Sequence, residues 1–217
     1  MTTEHSLVYT IGHSTHTFEA FLELLHKHHV TAVADVRSAP FSRFNPQFNK
    51  DTLEGRLTAH GIKYVSLGRE LGARSDDPAC YENGRVHYAR LARAASFRAG
   101  LDRVMEGARE YRIALMCAEK EPLECHRTLL VGRALAAHGV EISHILADGS
   151  VESHESAMTR LLDVVGLAKQ DLFNNREQLI EEAMARQEQR IAYVDEKLAA
   201  KAPSNSMPRH FAETQDK

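Results

Sequence analysis

Five short apolar runs rich in β-branched residues, interleaved with helical patterns, constrain this chain more than any other feature. Residues 7–11 (LVYTI) end at Gly12, and Phe18, Phe21, Leu22 and Leu25 follow at the spacing of one helix face, with Thr17 placed as N-cap and Glu19 in the first turn. The pattern then repeats. Residues 31–36 (TAVADV) read as a second strand, Asp51 and Glu54 as a capping box for a helix that Gly61 closes, and residues 62–67 as a third strand. A long loop is expected over 68–85, then a helical stretch over 86–111 broken near Ser96. The strand 113–117, a loop over 118–124, a helix from about Cys125 to His138 and a last strand over 140–146 complete the series, which ends at the turn Asp148-Gly149. Strands alternating with helices at this spacing pair in parallel through right-handed crossovers. The expected fold is therefore α/β: a doubly wound, mainly parallel sheet of about five strands over residues 1–150.

Beyond about Glu155 the strand signals stop, and residues 151–202 read as a helical extension. Within it, residues 176–200 form one amphipathic pattern, with Leu179, Ile180, Ala183, Ile191, Val194 and Leu198 on related faces. That face is expected to pack on the chain's own core or on a second copy, giving a homo-oligomer. Residues 203–217 carry Pro, Ser and Asn without periodicity, the pattern of a disordered tail.

Composition narrows the function classes. There are 27 Lys and Arg against 30 Asp and Glu, so no global basic field holds this protein on nucleic acid. A local patch remains open. The three cysteines have no secretory spacing and the N-terminus has no signal pattern, which predicts a reducing, cytoplasmic setting. No apolar run approaches the roughly 20 residues of a membrane span, so no membrane partner is expected. Neither G-x-G-x-x-G nor a Walker lysine is present, so no NAD or ATP motif is found.

In an open parallel sheet, ligands bind at the carboxyl ends of the strands. The unusual residues collect there. The first strand ends in Gly12-His13-Ser14, where His13 is a candidate base or metal ligand and Ser14 a candidate anion holder. The second ends in Asp35-Val36-Arg37-Ser38, with Asp35 and Arg37 on one face as an ion pair or a clamp for charged substrate. The following loop interleaves Phe41, Arg43, Phe44 and Phe48. It suits either stacking on bases with pairing to phosphate, or burial of the phenylalanines against the sheet. The densest cluster is Cys117-Ala118-Glu119 with Cys125-His126-Arg127. It fits a cysteine nucleophile with a histidine partner, a redox pair, or a metal site. Its spacing matches neither a phosphatase anion cradle nor a two-residue cysteine knuckle.

These motifs, together with Pro40-x-Ser42-Arg43, Leu67-Gly68 and Leu71-Gly72, resemble the bacterial family catalogued as domain of unknown function 488. The resemblance spans about residues 8–148, and residues 171–173 with 188–193 resemble an extension that many members carry. Leu71-Gly72-Ala73 stands where a second glycine is common. The resemblance implies a Rossmann-like domain and one shared site containing His13, Asp35, Arg37, Arg43, Cys117, Glu119, Cys125, His126 and Arg127. It names no substrate and no activity.

Three functions follow as expectations. The first is an enzyme for an anionic ligand, a phosphorylated small molecule, nucleotide or nucleic acid. Arg37, Arg43, Arg127, Ser14 and Ser38 would bind it, and Cys117, Cys125, His13, His126, Glu119 and Asp35 would do the chemistry. The second is a zinc- or iron-binding protein using Cys117, Cys125 and His13 or His126. The third is a nucleic-acid-binding module built on the Arg/Phe loop.

Overall fold

A computed structural model describes residues 6–168 and 174–200. The expected tail at 203–217 and the family-like residues 171–173 lie outside the described residues. In chain order, β1 (Leu7–Gly12) is followed by α1 (Phe18–Lys27), β2 (Ala32–Asp35), α2 (Lys50–Ala59), β3 (Lys63–Ser66) and α3 (Gly68–Leu71). Next come the short strands β4 (Tyr81–Glu82) and β5 (Arg85–Val86), then α4 (Tyr88–Leu91), α5 (Ala95–Gly107) and β6 (Ile113–Cys117). The chain continues through α6 (Arg133–Ala137), β7 (Glu141–Ile145), β8 (Val151–Ser153), α7 (His154–Val164), α8 (Arg176–Ile191) and α9 (Glu196–Ala199).

The main sheet runs β3-β2-β6-β1-β7-β8. Five of its strands are parallel and β8 is antiparallel to β7, so the sheet has six strands rather than about five. The sixth comes from residues assigned by sequence to the helical extension. Asp148-Gly149 turns the chain straight back, with the Gly149 amide donating to Leu146 O at 2.9 Å. The topology matters for function. β6 is inserted between β1 and β2, so the carboxyl ends that carry Gly12-His13, Cys117 and Asp35-Arg37 lie side by side, with Gly12 opposite Cys117 and Asp35 opposite Met116.

Both faces of the sheet are covered, which is what doubly wound means physically. On one face α1 and α2 bury Phe18, Phe21, Leu25, Leu53 and Leu57 against Ile11, Val33 and Met116. On the other, Phe97, Leu101 and Val104 of α5, Leu135 of α6, Leu161 of α7 and Leu179 and Ala183 of α8 join one core with Leu115 and Ile142. The apolar face of α8 is thus covered by its own chain.

Several local expectations need correction. Thr17 caps α1 as expected, accepting from the Ala20 amide. The box at Asp51 and Glu54 does not form: α2 begins at Lys50 with Asn49 as N-cap, and Asn49 Oδ1 instead accepts from the Ser42 amide at 2.7 Å. The expected loop over 68–85 contains α3 and the first arm of a small hairpin. Asn83 and Gly84 both take positive φ (49° and 77°), the requirement of a two-residue hairpin turn. The helical stretch breaks between α4 and α5, at residues 92–94, near the expected Ser96. The long C-terminal helix ends at Ile191, because Tyr193 and Val194 bind back to the hairpin through Val86 N–H to Tyr193 O and the Arg85–Val194 bridge. Among the described residues, no helix is long and apolar enough to cross a membrane.

Candidate functional site

Two groups of side chains stand at the carboxyl edge of the sheet. The first is built on β2. Arg37 donates Nε–H to Asp35 Oδ1 at 2.9 Å and Nη2–H to Oδ2 at 2.6 Å, and Nη2 also reaches Phe48 O at 2.8 Å. Tyr64 donates its hydroxyl to Asp35 Oδ2 at 2.7 Å. Burial, reinforced by the Asp35 charge, pushes that phenol well above its usual range.

His13 completes this group. Its Nδ1 lies 2.9 Å from Ser14 O and its Nε2 lies 3.1 Å from Arg37 Nη1. A carbonyl can only accept and a guanidinium can only donate, so the proton sits on Nδ1 and Nε2 is the acceptor. Burial, and after it the Arg37 charge, lowers the imidazole from 6.5 to about 4. Its ring stacks on Phe48 with centroids 4.3 Å apart. Both nitrogens are occupied, so His13 stands outside the Cys117, Cys125 and His126 cluster and is engaged as a brace.

The second group is built on β6 and the turn after it. A 3-10 turn at Pro122–Glu124 leads into Cys125-His126, and Arg127–Gly132 is wound as a π-helix. Such turns are uncommon and frequent at functional sites. The Thr128 and Leu129 amides donate to Cys125 O, while the Arg127 amide lies 3.4 Å from Cys125 Sγ, placing that sulfur as the acceptor at the start of the turn. His126 donates Nε2–H to Val36 O at 3.0 Å. Its Nδ1 faces the two sulfurs, 3.8 Å from Cys117 Sγ and 3.8 Å from Cys125 Sγ. The ligating atoms of Cys117, Cys125 and His126 all lie within 4.8 Å of one another.

Glu119 and Arg127 flank this cluster. Glu119 Oε2 lies 2.9 Å from Cys125 Sγ, with a proton between them, and burial of the carboxyl together with the neighbouring sulfur raises its pKa. Arg127 is 0% exposed and donates to Glu119 O at 2.7 Å and Lys120 O at 3.3 Å; its Nε has no partner. Cys117 is pushed well above the usual thiol range, first by its hydrogen bond to Cys125 and then by burial. For Cys125 burial works against ionisation, but the Cys117 hydrogen bond, Arg127 and His126 outweigh it and hold the thiol well below that range. For His126 the same sulfur outweighs burial and raises the imidazole. Gly12 makes the closure possible: a Cβ there would lie 1.9 Å from Glu119 O.

A hollow of about 260 Å³ opens on the cluster. Cys117, Glu119, Cys125 and His126 line it, as do Arg37, Ser38, Tyr88, Arg74 and Tyr193. Two other hollows, of about 520 and 600 Å³, lie toward the amino ends of the strands, away from the cluster. Ser38 holds the wall together, its Oγ accepting from the Arg74 amide at 3.0 Å. Ser14 and Arg43 are not in the wall. Ser14 sits at a left-handed φ of 46° with its amide on Ala118 O, and Arg43 is exposed on the loop beyond.

Arg74, Tyr88 and Tyr193 were not singled out by sequence. Arg74 is exposed, its guanidinium lies 4.4 Å over the Tyr193 ring, and among the described residues it has no carboxylate partner. Tyr193 belongs to the family-like segment 188–193, the one sequence signal that pointed to this wall. Its carbonyl accepts from Val86, and the Tyr88 amide donates to Glu188 Oε1 at 2.8 Å, so the C-terminal segment is fixed beside the site by the β4–β5 hairpin and α4.

No curated protein and no solved structure matches the chain. Residues 17–134 match the family described as Domain of unknown function DUF488. That span exceeds half the chain and includes Cys117, Glu119, Cys125, His126 and Arg127; this protein belongs to the DUF488 family.

Proposed function

We propose that the protein holds one zinc or iron ion on Cys117 Sγ, Cys125 Sγ and His126 Nδ1, and applies it to an anionic substrate in the adjoining hollow. The observation that carries this reading is the equal 3.8 Å separation of His126 Nδ1 from both sulfurs. That is long for a hydrogen bond to either sulfur, yet close to the edge of about 3.6 Å expected between sulfur and nitrogen around a tetrahedral ion. The orientation of His126 also supports it, since ligating histidines ordinarily donate their second ring N–H to a carbonyl or carboxylate, as His126 does to Val36 O.

Three protein ligands leave a fourth position, and all three line the hollow. Bound there, the ion would supply Lewis acidity toward a substrate oxygen. Arg74, free of any carboxylate among the described residues, is suited to pair with substrate charge, while Arg37 is already neutralised by Asp35. Glu119 adjoins the cluster as a proton acceptor or a fourth ligand.

A thiolate nucleophile at Cys125 is the second reading, favoured by the Arg127 amide on its sulfur. Its 1% exposure weighs against it. Elemental analysis of untagged protein purified under reducing conditions separates the two, with the Cys117→Ser/Cys125→Ser variant alongside. About one zinc or iron per chain in the wild type and none in the variant is the expected result. Metal-free wild-type protein that takes up neither ion on reconstitution would overturn the proposal and leave the thiol chemistry.

A further inference from the structure

The loop 39–49 contains three phenylalanines with opposite fates. Phe48 is fully buried, stacked on the His13 ring and set edge-on to Phe21 at 5.2 Å. Phe41 and Phe44 are 71% and 87% exposed. Their exposure does not come from a slack loop. Ser42 Oγ accepts from the Phe44 and Asn45 amides at 3.1 and 3.2 Å, Asn49 Oδ1 accepts from the Ser42 amide, and the Lys50 amide donates to Pro40 O at 3.0 Å. Gln47 ties the loop to His16 O at 3.1 Å. The loop is held, and it holds two aromatic rings in water.

The charges beside those rings have one sign. From Ser38 to Lys50 the sequence carries Arg43 and Lys50 and no Asp or Glu. Arg43 is exposed and, among the described residues, has no carboxylate partner. Exposed aromatic faces interleaved with an unpaired guanidinium match stacked bases on a phosphate backbone. An apolar protein partner would leave Arg43 without a counter-charge. The loop also begins at the hollow, where Ser38 and Ala39 form part of the wall and Arg74 adds a second free cation.

We infer that the loop 39–49 docks a single-stranded nucleic acid, whose bases stack on Phe41 and Phe44 and whose phosphates pair with Arg43. Arg74 lies in the wall of the hollow with Ser38 and Ala39, where the loop begins. The inference rests on residues separate from the metal ligands and fails or stands apart from the metal reading.

The test is fluorescence anisotropy of the full chain with labelled oligo(dT) and oligo(U), in about 50 mM and about 200 mM salt. Wild-type protein is expected to bind at least one of the two. With two phosphate contacts, binding weakens about sevenfold across that range. Phe41→Ala/Phe44→Ala is expected to weaken binding about 30-fold or more, since each stacked base contributes about fivefold or more. Arg43→Ala flattens the salt dependence. Both rings lie in solvent, so the double variant should keep the wild-type urea midpoint, and equilibrium unfolding checks this. Failure of wild-type protein to bind either strand, or undiminished binding by the double variant, overturns the inference. So does a wild-type dimer in sedimentation that becomes monomeric on Phe41→Ala/Phe44→Ala, which would assign the rings to self-association.

Discussion

Arg37 and Arg127 are both buried guanidinium groups at the carboxyl edge of one sheet, and the protein treats them in opposite ways. Arg37 has a two-pronged ion pair with Asp35, the Phe48 carbonyl and the His13 ring nitrogen. Arg127 has only the carbonyls of Glu119 and Lys120, an unpartnered Nε and, among the described residues, no carboxylate within ion-pair distance. A buried charge is retained only where something neutralises it. For Arg37 that something is Asp35, so the β2 group is a closed brace. For Arg127 it is the neighbouring cluster. The open end of Arg127 faces the Cys117, Cys125 and Glu119 side of the site, where its charge helps to hold the Cys125 thiol down.

Removing the Asp35 carboxylate has the largest expected effect. Asp35→Ala strands the Arg37 charge and the Tyr64 hydroxyl together, and is expected to cost about 3–5 kcal/mol in urea unfolding. A loss below about 1 kcal/mol would mean that the β2 group is no brace.

Acid probes the same brace more gently. His13 titrates at about 4 in the folded protein against 6.5 for the free group, so the unfolded chain binds the proton more readily. Its contribution to stability is complete above about pH 6.5 and is lost as the pH falls toward 4. From about pH 7 to about pH 5 this one group withdraws about 1–2 kcal/mol. His13→Asn should flatten that part of the stability profile, and an unchanged slope would count against the neutral, doubly bonded imidazole.

Arg127→Met sharpens the contrast. With no ion pair to lose, it should cost only about 1 kcal/mol of apo stability. Metal affinity, measured by competition with a chelator, should fall about 10- to 100-fold. A collapse in stability with unaltered metal affinity would make Arg127 a brace like Arg37.

Much of this arrangement is legible in the sequence, and the losses have physical reasons. The strands β1, β2, β3, β6 and β7 announce themselves because a sheet covered on both faces needs near-continuous apolar runs. β4 and β5 have two residues each, too few for a pattern, and the turn between them, Asn83-Gly84, falls inside what reads as one long loop. The capping box at Asp51 failed because the preceding turn at Pro46–Phe48 brings Asn49 to the helix start and commits its side chain to the loop. The Cys117, Cys125 and His126 cluster is visible as local density of unusual residues. Separating His126 from His13 as its third member requires the orientation of each ring, which follows from β6 lying between β1 and β2. Arg74 and Tyr193 are far apart in the chain and reach the hollow only through tertiary packing. The phenylalanine loop was ambiguous by composition, and the structure divides it, one ring buried and two exposed.

X-ray absorption at the metal edge of the reconstituted, reduced protein tests whether both sulfurs and the His126 imidazole hold one ion. Two sulfur neighbours at about 2.3 Å and an imidazole nitrogen at about 2.0 Å are expected, with no sulfur neighbours left in Cys117→Ser/Cys125→Ser. A bound metal surrounded only by nitrogen and oxygen, or no metal held at all, would contradict this ligation.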